Sequence, residues 1–352
     1  MPLSVPAILS NPHYLPHAID SGGDKVSFLP TTISKLRRPA FIDGRSEFAT
    51  GRPVSLPLDA ILAAASEMRA PGPDRMIFHV SFCGSTLLAR MLDVPGQSLV
   101  LREPNLLVDL AGWKKASGDV DGRFAPALAW ARTALRRRWR ASGPVLIKPS
   151  NWANNLLADI IADPGTLRPL FVTMERRPFL LAVLRGGRDR LAFIAQVAAH
   201  LADGTDGKAQ LREAIAGTAD PIGQAVNLAA LALHLQTRMF SEAMRRGGWD
   251  GTNVLDASTL FSRPVEAALA ANAILELGID PAILANSAAL AARENAKAPG
   301  RSFLPVLRES ENDEVERYHG ARIDAALLWA EQRLGPHPRL DLAGDDAIVA
   351  AG

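Results

Sequence analysis

Short apolar runs alternate along this chain with longer stretches in which apolar residues recur every three to four positions. The first convincing strand is MIFHVSF at 76–82, and strand-like runs follow at 98–101, 145–148, 170–174 and 253–256, separated by amphipathic, helix-like stretches. Such alternation predicts an α/β fold: a three-layer, mostly parallel sheet covered on both faces, with ligands at the carboxyl ends of its strands. Each of the four later runs ends in a charged residue or is followed at once by one (Arg102, Lys148, Glu175, Asp256), which suits that placement. Residues 188–246 read almost entirely as helix, so a helical insertion over about 188–250 is expected to cap the sheet. Helical spacing resumes over 264–277. An amphipathic helix is predicted over 323–334, with a loose chain from Gly335.

Ahead of the first strand, residues 1–57 are rich in Pro, Gly and Ser, with short β-like runs at 26–29 and 40–42. Helical spacing covers 58–68, and PGPD at 71–74 punctuates the chain. The expected division is therefore an irregular extension at 1–70 packed on the core, a main domain at 71–335 and a tail at 336–352. The chain shows no internal repeat and no low-complexity tract.

Composition narrows the classes. Charged residues are 22% and hydrophobic ones 48% of 352, as in an ordinary globular protein. The formal net charge of +2 supplies no global field for nucleic acid or a membrane surface, so any anion site is local and no nucleic-acid partner is expected. The lone cysteine, Cys83, excludes an internal disulfide and fits a reducing compartment. The N-terminus lacks a basic n-region, and Pro6 and Asn11 break its apolar run. No uninterrupted apolar stretch reaches roughly 18 residues. A cytoplasmic protein without a membrane span is the expectation.

The chemistry concentrates where the first strand turns into a helix, at Ser81-Phe82-Cys83-Gly84-Ser85-Thr86-Leu87. Amides at a helix start lack intrahelical partners and face the positive end of the dipole, so Gly84 to Thr86 and both hydroxyls suit a phosphate. Gly84 is expected to let the anion approach closely. Simple helix capping is the alternative role of Ser85 and Thr86. A kinase-type G-x-x-x-x-G-K-[ST] loop needs a lysine before Ser85, where Gly84 stands, which disfavours ordinary ATP or GTP hydrolysis.

SFCGSTLL at 81–88 resembles the first loop, P-[RK]-S-G-T-T-x-L, of sulfotransferases that use 3′-phosphoadenosine-5′-phosphosulfate (PAPS), a branch of the P-loop superfamily. Phe82 stands at the family's basic position and Cys83 at its serine. The resemblance implies a P-loop/sulfotransferase type of sheet and runs through about 76–335. LREPNLL at 101–107 places Glu103 where tyrosylprotein and heparan-type members carry a catalytic carboxylate. PVLIKPSNWANNLL at 144–157 places Lys148 where a strand-end lysine reaches the phosphosulfate, with Ser150, Asn151 and Asn154 as substrate-orienting or capping residues. PLFVTMERRP at 169–178 resembles the R-[DN]-P signature and implies that Arg176 holds the nucleotide 3′-phosphate, a task that suits a planar, bidentate guanidinium. The family serine eight residues later is Leu184 here, and Arg185 or Arg188 is the candidate substitute. The layout of 252–279 also follows the family, with Asp256, Leu260, Pro264, Leu277 and Gly278 matching. A late basic loop at 297–301 offers Lys297 and Arg301 for closing over the nucleotide.

The resemblance thus implies sulfuryl transfer from PAPS to a hydroxyl or amine acceptor. Cys83, Gly84, Ser85, Thr86, Leu87, Arg176, Lys297 and Arg301 hold the co-substrate, Lys148 acts on the transferring group and Glu103 is the base. Each of these residues also has a plain structural reading as cap, solvated charge or packed side chain. Two other functions stay open: a phosphotransferase using ATP and Mg²⁺, and a nucleotide-binding protein without activity. His79 reads as a core histidine and the run Arg136, Arg137, Arg138 and Arg140 as a solvated helical face. No metal site is expected, because Pro12 and Pro16 break the helix that would align His13 with His17.

Overall fold

The computed structural model describes residues 4–65, 72–117, 121–137, 139, 143–162, 164–294, 305–338 and 340. Strands β1 (Tyr14–Ile19), β2 (Lys25–Pro30) and β3 (Val54–Pro57) form an antiparallel sheet in that order. This corrects the expectation of an irregular extension. Prolines hide β1 and β3 in the sequence: the β1–β2 register shifts between Pro16 and Ala18, and Pro57 ends β3. Residues 40–42 form no strand. The Ile42 amide instead donates to the Arg102 carbonyl at 2.8 Å, and its side chain is buried.

The main sheet holds β4 (Asp74–His79), β5 (Leu99–Arg102), β6 (Val145–Lys148), β7 (Leu167–Thr173) and β8 (Val254–Asp256), all parallel, in the order β5-β6-β4-β7-β8. All five are the strands that the sequence predicts, and the protein is mixed α/β. Every residue of β4, β5 and β6 is buried, as strands covered on both faces require. The chain leaves β4 toward one edge of the sheet and leaves β7 toward the other. Connections therefore diverge between the carboxyl ends of β4 and β7, the crevice at which open α/β sheets bind ligands.

Phe78 and its register partner Phe171 stack with centroids 5.7 Å apart, and Phe240 of the helix Pro221–Gly247 covers Phe171. That helix belongs to the expected insertion, with Gly187–Leu201 and Gly204–Ala216 before it. Both sheets share one hydrophobic cluster, running from Ile8 through Phe28 and Phe171 to Leu340.

Of the basic run after Leu135, Arg136 and Arg137 are stitches rather than a solvated face. The Arg136 guanidinium pairs with Asp74, buried at the start of β4, at 2.6 Å. Arg137 donates to the Leu9 and Tyr14 carbonyls of the N-terminal segment, and burial pushes its pKa down to about 10. Arg138 and Arg140 lie outside the described residues.

The C-terminal helix spans Pro305–Leu334, eighteen residues longer at its start than its apolar pattern predicts. Ion pairs hold the polar first half, Arg177 with Glu316 and Arg185 with Glu311, and Arg177 also pairs with Asp324 further on. Among the described residues beyond it, in a stretch expected loose, Arg176 donates to the Gly335 carbonyl at 2.8 Å and Leu340 is buried. No helix among the described residues is long and apolar enough to cross a membrane.

Candidate functional site

After His79 the chain turns sharply into the helix Ser85–Met91. Phe82 and Gly84 both have positive φ, 63° and 85°. Strain at a non-glycine residue is a feature that functional corners concentrate. Glycine is required at 84 for packing as well: a Cβ there would lie 2.8 Å from Phe261 and 3.0 Å from Leu260. Close approach of the Phe261 and Leu260 side chains therefore explains this glycine. The Cys83 thiol turns inward to donate to the Val80 carbonyl at 2.9 Å, and burial pushes its pKa up to about 11, so it is an inert packed residue. The Leu87 amide is bound within the turn, to the Gly84 carbonyl at 2.8 Å.

Beside the corner, the ends of β4, β5 and β6 bring His79, Glu103 and Lys148 together. Lys148 is fully buried and donates to Glu103 Oε1 at 2.6 Å. His79 Nε2 lies 4.0 Å from the same oxygen, and Arg45 reaches the other oxygen at 3.6 Å. Glu103 is also strained, with φ 56°, while its amide donates to the Lys148 carbonyl at 2.7 Å. Burial alone would raise the Glu103 pKa, but Lys148, by charge and hydrogen bond, and Arg45 outweigh it and hold the carboxylate ionised below its ordinary range. Burial, then the Lys148 cation, drive His79 down to about 3, so its ring is neutral. Its two nitrogens face the Val80 and Pro149 carbonyls at 2.9 and 3.0 Å.

These groups border a cavity of about 750 Å³ that the corner also lines through Ser81, Gly84, Ser85, Thr86 and Leu87. Glu103 and His79 face it. Lys148 does not: it stands behind Glu103 and spends its charge there. Across the cavity stand Arg185, Arg190 and Arg308. Arg190 lies 5.0 Å from the Phe82 ring centroid and Arg308 3.7 Å from that of Phe261. Burial, and then Arg185, lowers the pKa of both, Arg308 to about 10. Glu311 meets Arg185 at 3.4 Å. A cluster of desolvated, mutually repelling guanidiniums is a wall at which an anion is stabilised.

Arg176 is not brought to the cavity. As the first residue of the helix Arg176–Arg185 it points to the C-terminal helix, pairing with Glu331 at 3.2 Å. It does not line the cavity that the strand-to-helix corner borders. Lys297 and Arg301 lie outside the described residues. Asn151 lines the cavity and donates to Ser81 Oγ at 2.5 Å, while Asn154 braces the His79 carbonyl at 3.2 Å; Ser150 makes no side-chain cap. Sequence reasoning named Arg185 only as a substitute and missed Arg45, Arg190 and Arg308. No local motif marks them, because they reach the cavity from three distant segments.

Among the described residues no group of three or more His, Cys, Asp or Glu is placed to hold a metal ion. Comparisons of the chain with protein-family models, with curated proteins and with solved structures find no match.

Proposed function

We propose that the cavity binds a phosphate-bearing nucleotide and that the protein is a group transferase of the P-loop, sulfotransferase-like type, moving a sulfuryl group from PAPS to a hydroxyl or amine acceptor. One observation carries the reading: a strand-to-helix corner, the Glu103 carboxylate and four guanidiniums, those of Arg45, Arg185, Arg190 and Arg308, border one cavity at the carboxyl ends of the parallel strands, with Asp43, Glu294 and Glu311 also on its wall. In this reading Ser85 and Thr86 hold the 5′-phosphosulfate, and Arg185, Arg190 and Arg308 hold the second phosphate in place of Arg176. The acceptor oxygen or nitrogen attacks sulfur in line, and the bond from sulfur to the bridging phosphate oxygen breaks. That electron pair leaves on adenosine 3′,5′-bisphosphate. Glu103 takes the acceptor's proton, for which an ionised carboxylate is the required state. Lys148 positions Glu103 and does not touch the donor.

Thermal stabilisation by adenosine 3′,5′-bisphosphate without metal, compared with ATP plus Mg²⁺, tests this. The expected result is a preference for the bisphosphate, weakened about tenfold or more by Arg190→Ala with Arg308→Ala. Preference for ATP with metal replaces the reading with a phosphotransferase. Silence from both removes the nucleotide.

A further inference from the structure

A second cavity, of about 840 Å³, lies between the segment 154–161, the end of Gly187–Leu201, the first turns of Gly204–Ala216 and the later turns of Pro221–Gly247. Its floor is apolar, built from the buried Leu157, Ile161, Leu201 and Leu235 with half-buried Met239. None of these residues lines the first cavity.

The charges around it are unequal in how far they are engaged. Asp203 caps the following helix by accepting from the Gly204 amide at 2.8 Å, and Glu242 accepts from Arg245. Arg238 and Arg246, about two turns apart on the long helix, make no ion pair or hydrogen bond with any described residue, and Asp206 is the one carboxylate of the wall in that same condition. Two acceptors on this wall, Asn155 Oδ1 and Gln210 Oε1, are buried without a hydrogen-bond partner. The Asn155 amide nitrogen donates to the Ala111 carbonyl at 3.0 Å, which fixes the side on which its oxygen lies.

We infer that this cavity is a binding site for a small amphiphilic anion: an apolar body on the leucine floor, a carboxylate or sulfate head on Arg238 and Arg246, and an O–H or N–H donor near the head for Gln210 or Asn155. Guanidinium pairs with such heads through two parallel hydrogen bonds. The apolar body supplies affinity by leaving water. A donor on the ligand relieves the cost of a buried acceptor that has no partner. The inference stands apart from the nucleotide reading, since it uses no residue of the first cavity.

Calorimetric titration of the full chain with four probes of equal tail length tests it: N-hexanoylglycine, hexanoate, 1-hexanol and hexylammonium. N-hexanoylglycine is expected to bind, hexanoate more weakly, and the neutral and cationic probes least. Arg238→Ala with Arg246→Ala should weaken N-hexanoylglycine at least about tenfold without lowering the melting temperature, because both side chains are exposed. Gln210→Leu should bring N-hexanoylglycine down to the affinity of hexanoate. The inference is overturned if no probe binds, if the arginine pair can be removed without loss, or if hexylammonium binds best, which would make Asp206 the group that selects the ligand.

Discussion

The carboxyl edge of the parallel sheet has two halves that look alike in sequence and are built oppositely. At the ends of β4, β5 and β6 the charged groups are paired at the border of an open cavity: Lys148 with Glu103, and Glu103 with Arg45. At the ends of β7 and β8, Thr173 and Asp256 are register partners, joined by Arg176, His234 and His337 beneath the C-terminal segment. There Thr173 Oγ1, Arg176 Nε, His234 Nδ1, Asp256 Oδ2 and His337 Nδ1 are each buried without a hydrogen-bond partner. A strand-end cation therefore has no fixed fate. What covers it decides: Glu331 and Gly335 take Arg176, whereas Lys148 is turned to support a carboxylate that faces the cavity.

The largest effect is acid sensitivity; His234 and His337, pushed down to about 4 by burial, bring it to the second half, and His79 brings it to the first. The folded pKa of His79, about 3, lies below the ordinary 6.5, so the unfolded chain binds the extra proton between those values. This contribution to stability is full above pH 6.5 and is lost as pH falls toward 3, amounting to roughly 4 to 5 kcal/mol across that window. Urea melts of wild type and His79→Asn between pH 7 and 4 measure it. The variant should show a shallower acid limb, and an unchanged slope would place the neutral-histidine account in error.

Next comes the buried pair. Lys148→Met leaves Glu103 with only the more distant Arg45 to offset its charge, and should destabilise by about 3 kcal/mol. Adding Glu103→Gln should recover most of that loss, since the cost lies in the poorly offset charge rather than in a missing contact. A double variant as unstable as the single one would mean that Lys148 serves the fold by packing alone.

The same contrast explains what the sequence could and could not disclose. All five parallel strands were legible because buried parallel strands read as short apolar runs, and β4, β5 and β6 have no exposed residue to blur them. Of the N-terminal sheet only β2 was legible, as the β-like run 26–29, because Pro16 and Pro57 interrupt the pattern of β1 and β3. In the site, Gly84 to Leu87 and Glu103 were legible as consecutive residues after strands. Arg45, Arg190 and Arg308 belong to the connection between β2 and β3, an insertion helix and a C-terminal helix, and only tertiary packing gathers them. The reading of Arg176 rested on a partial local resemblance, with Arg177 and Leu184 off its pattern, and Glu331, more than 150 residues away in sequence, claims its charge.

The smallest effect is the sharpest test of the division. Arg176 is buried along its length, but Glu331 is 60% exposed, so water screens their ion pair and its worth is modest. Arg176→Met keeps the apolar stem in place and removes only the guanidinium with its bonds to Glu331 and Gly335. The expected loss is about 1 kcal/mol in a urea melt. Binding of adenosine 3′,5′-bisphosphate should be unchanged, because Arg176 does not line the cavity of Glu103 and Arg190. A drop in bisphosphate affinity of about tenfold, with the same modest loss of stability, would show that the two halves of the sheet edge act on one ligand, and that the C-terminal segment covers part of a single site.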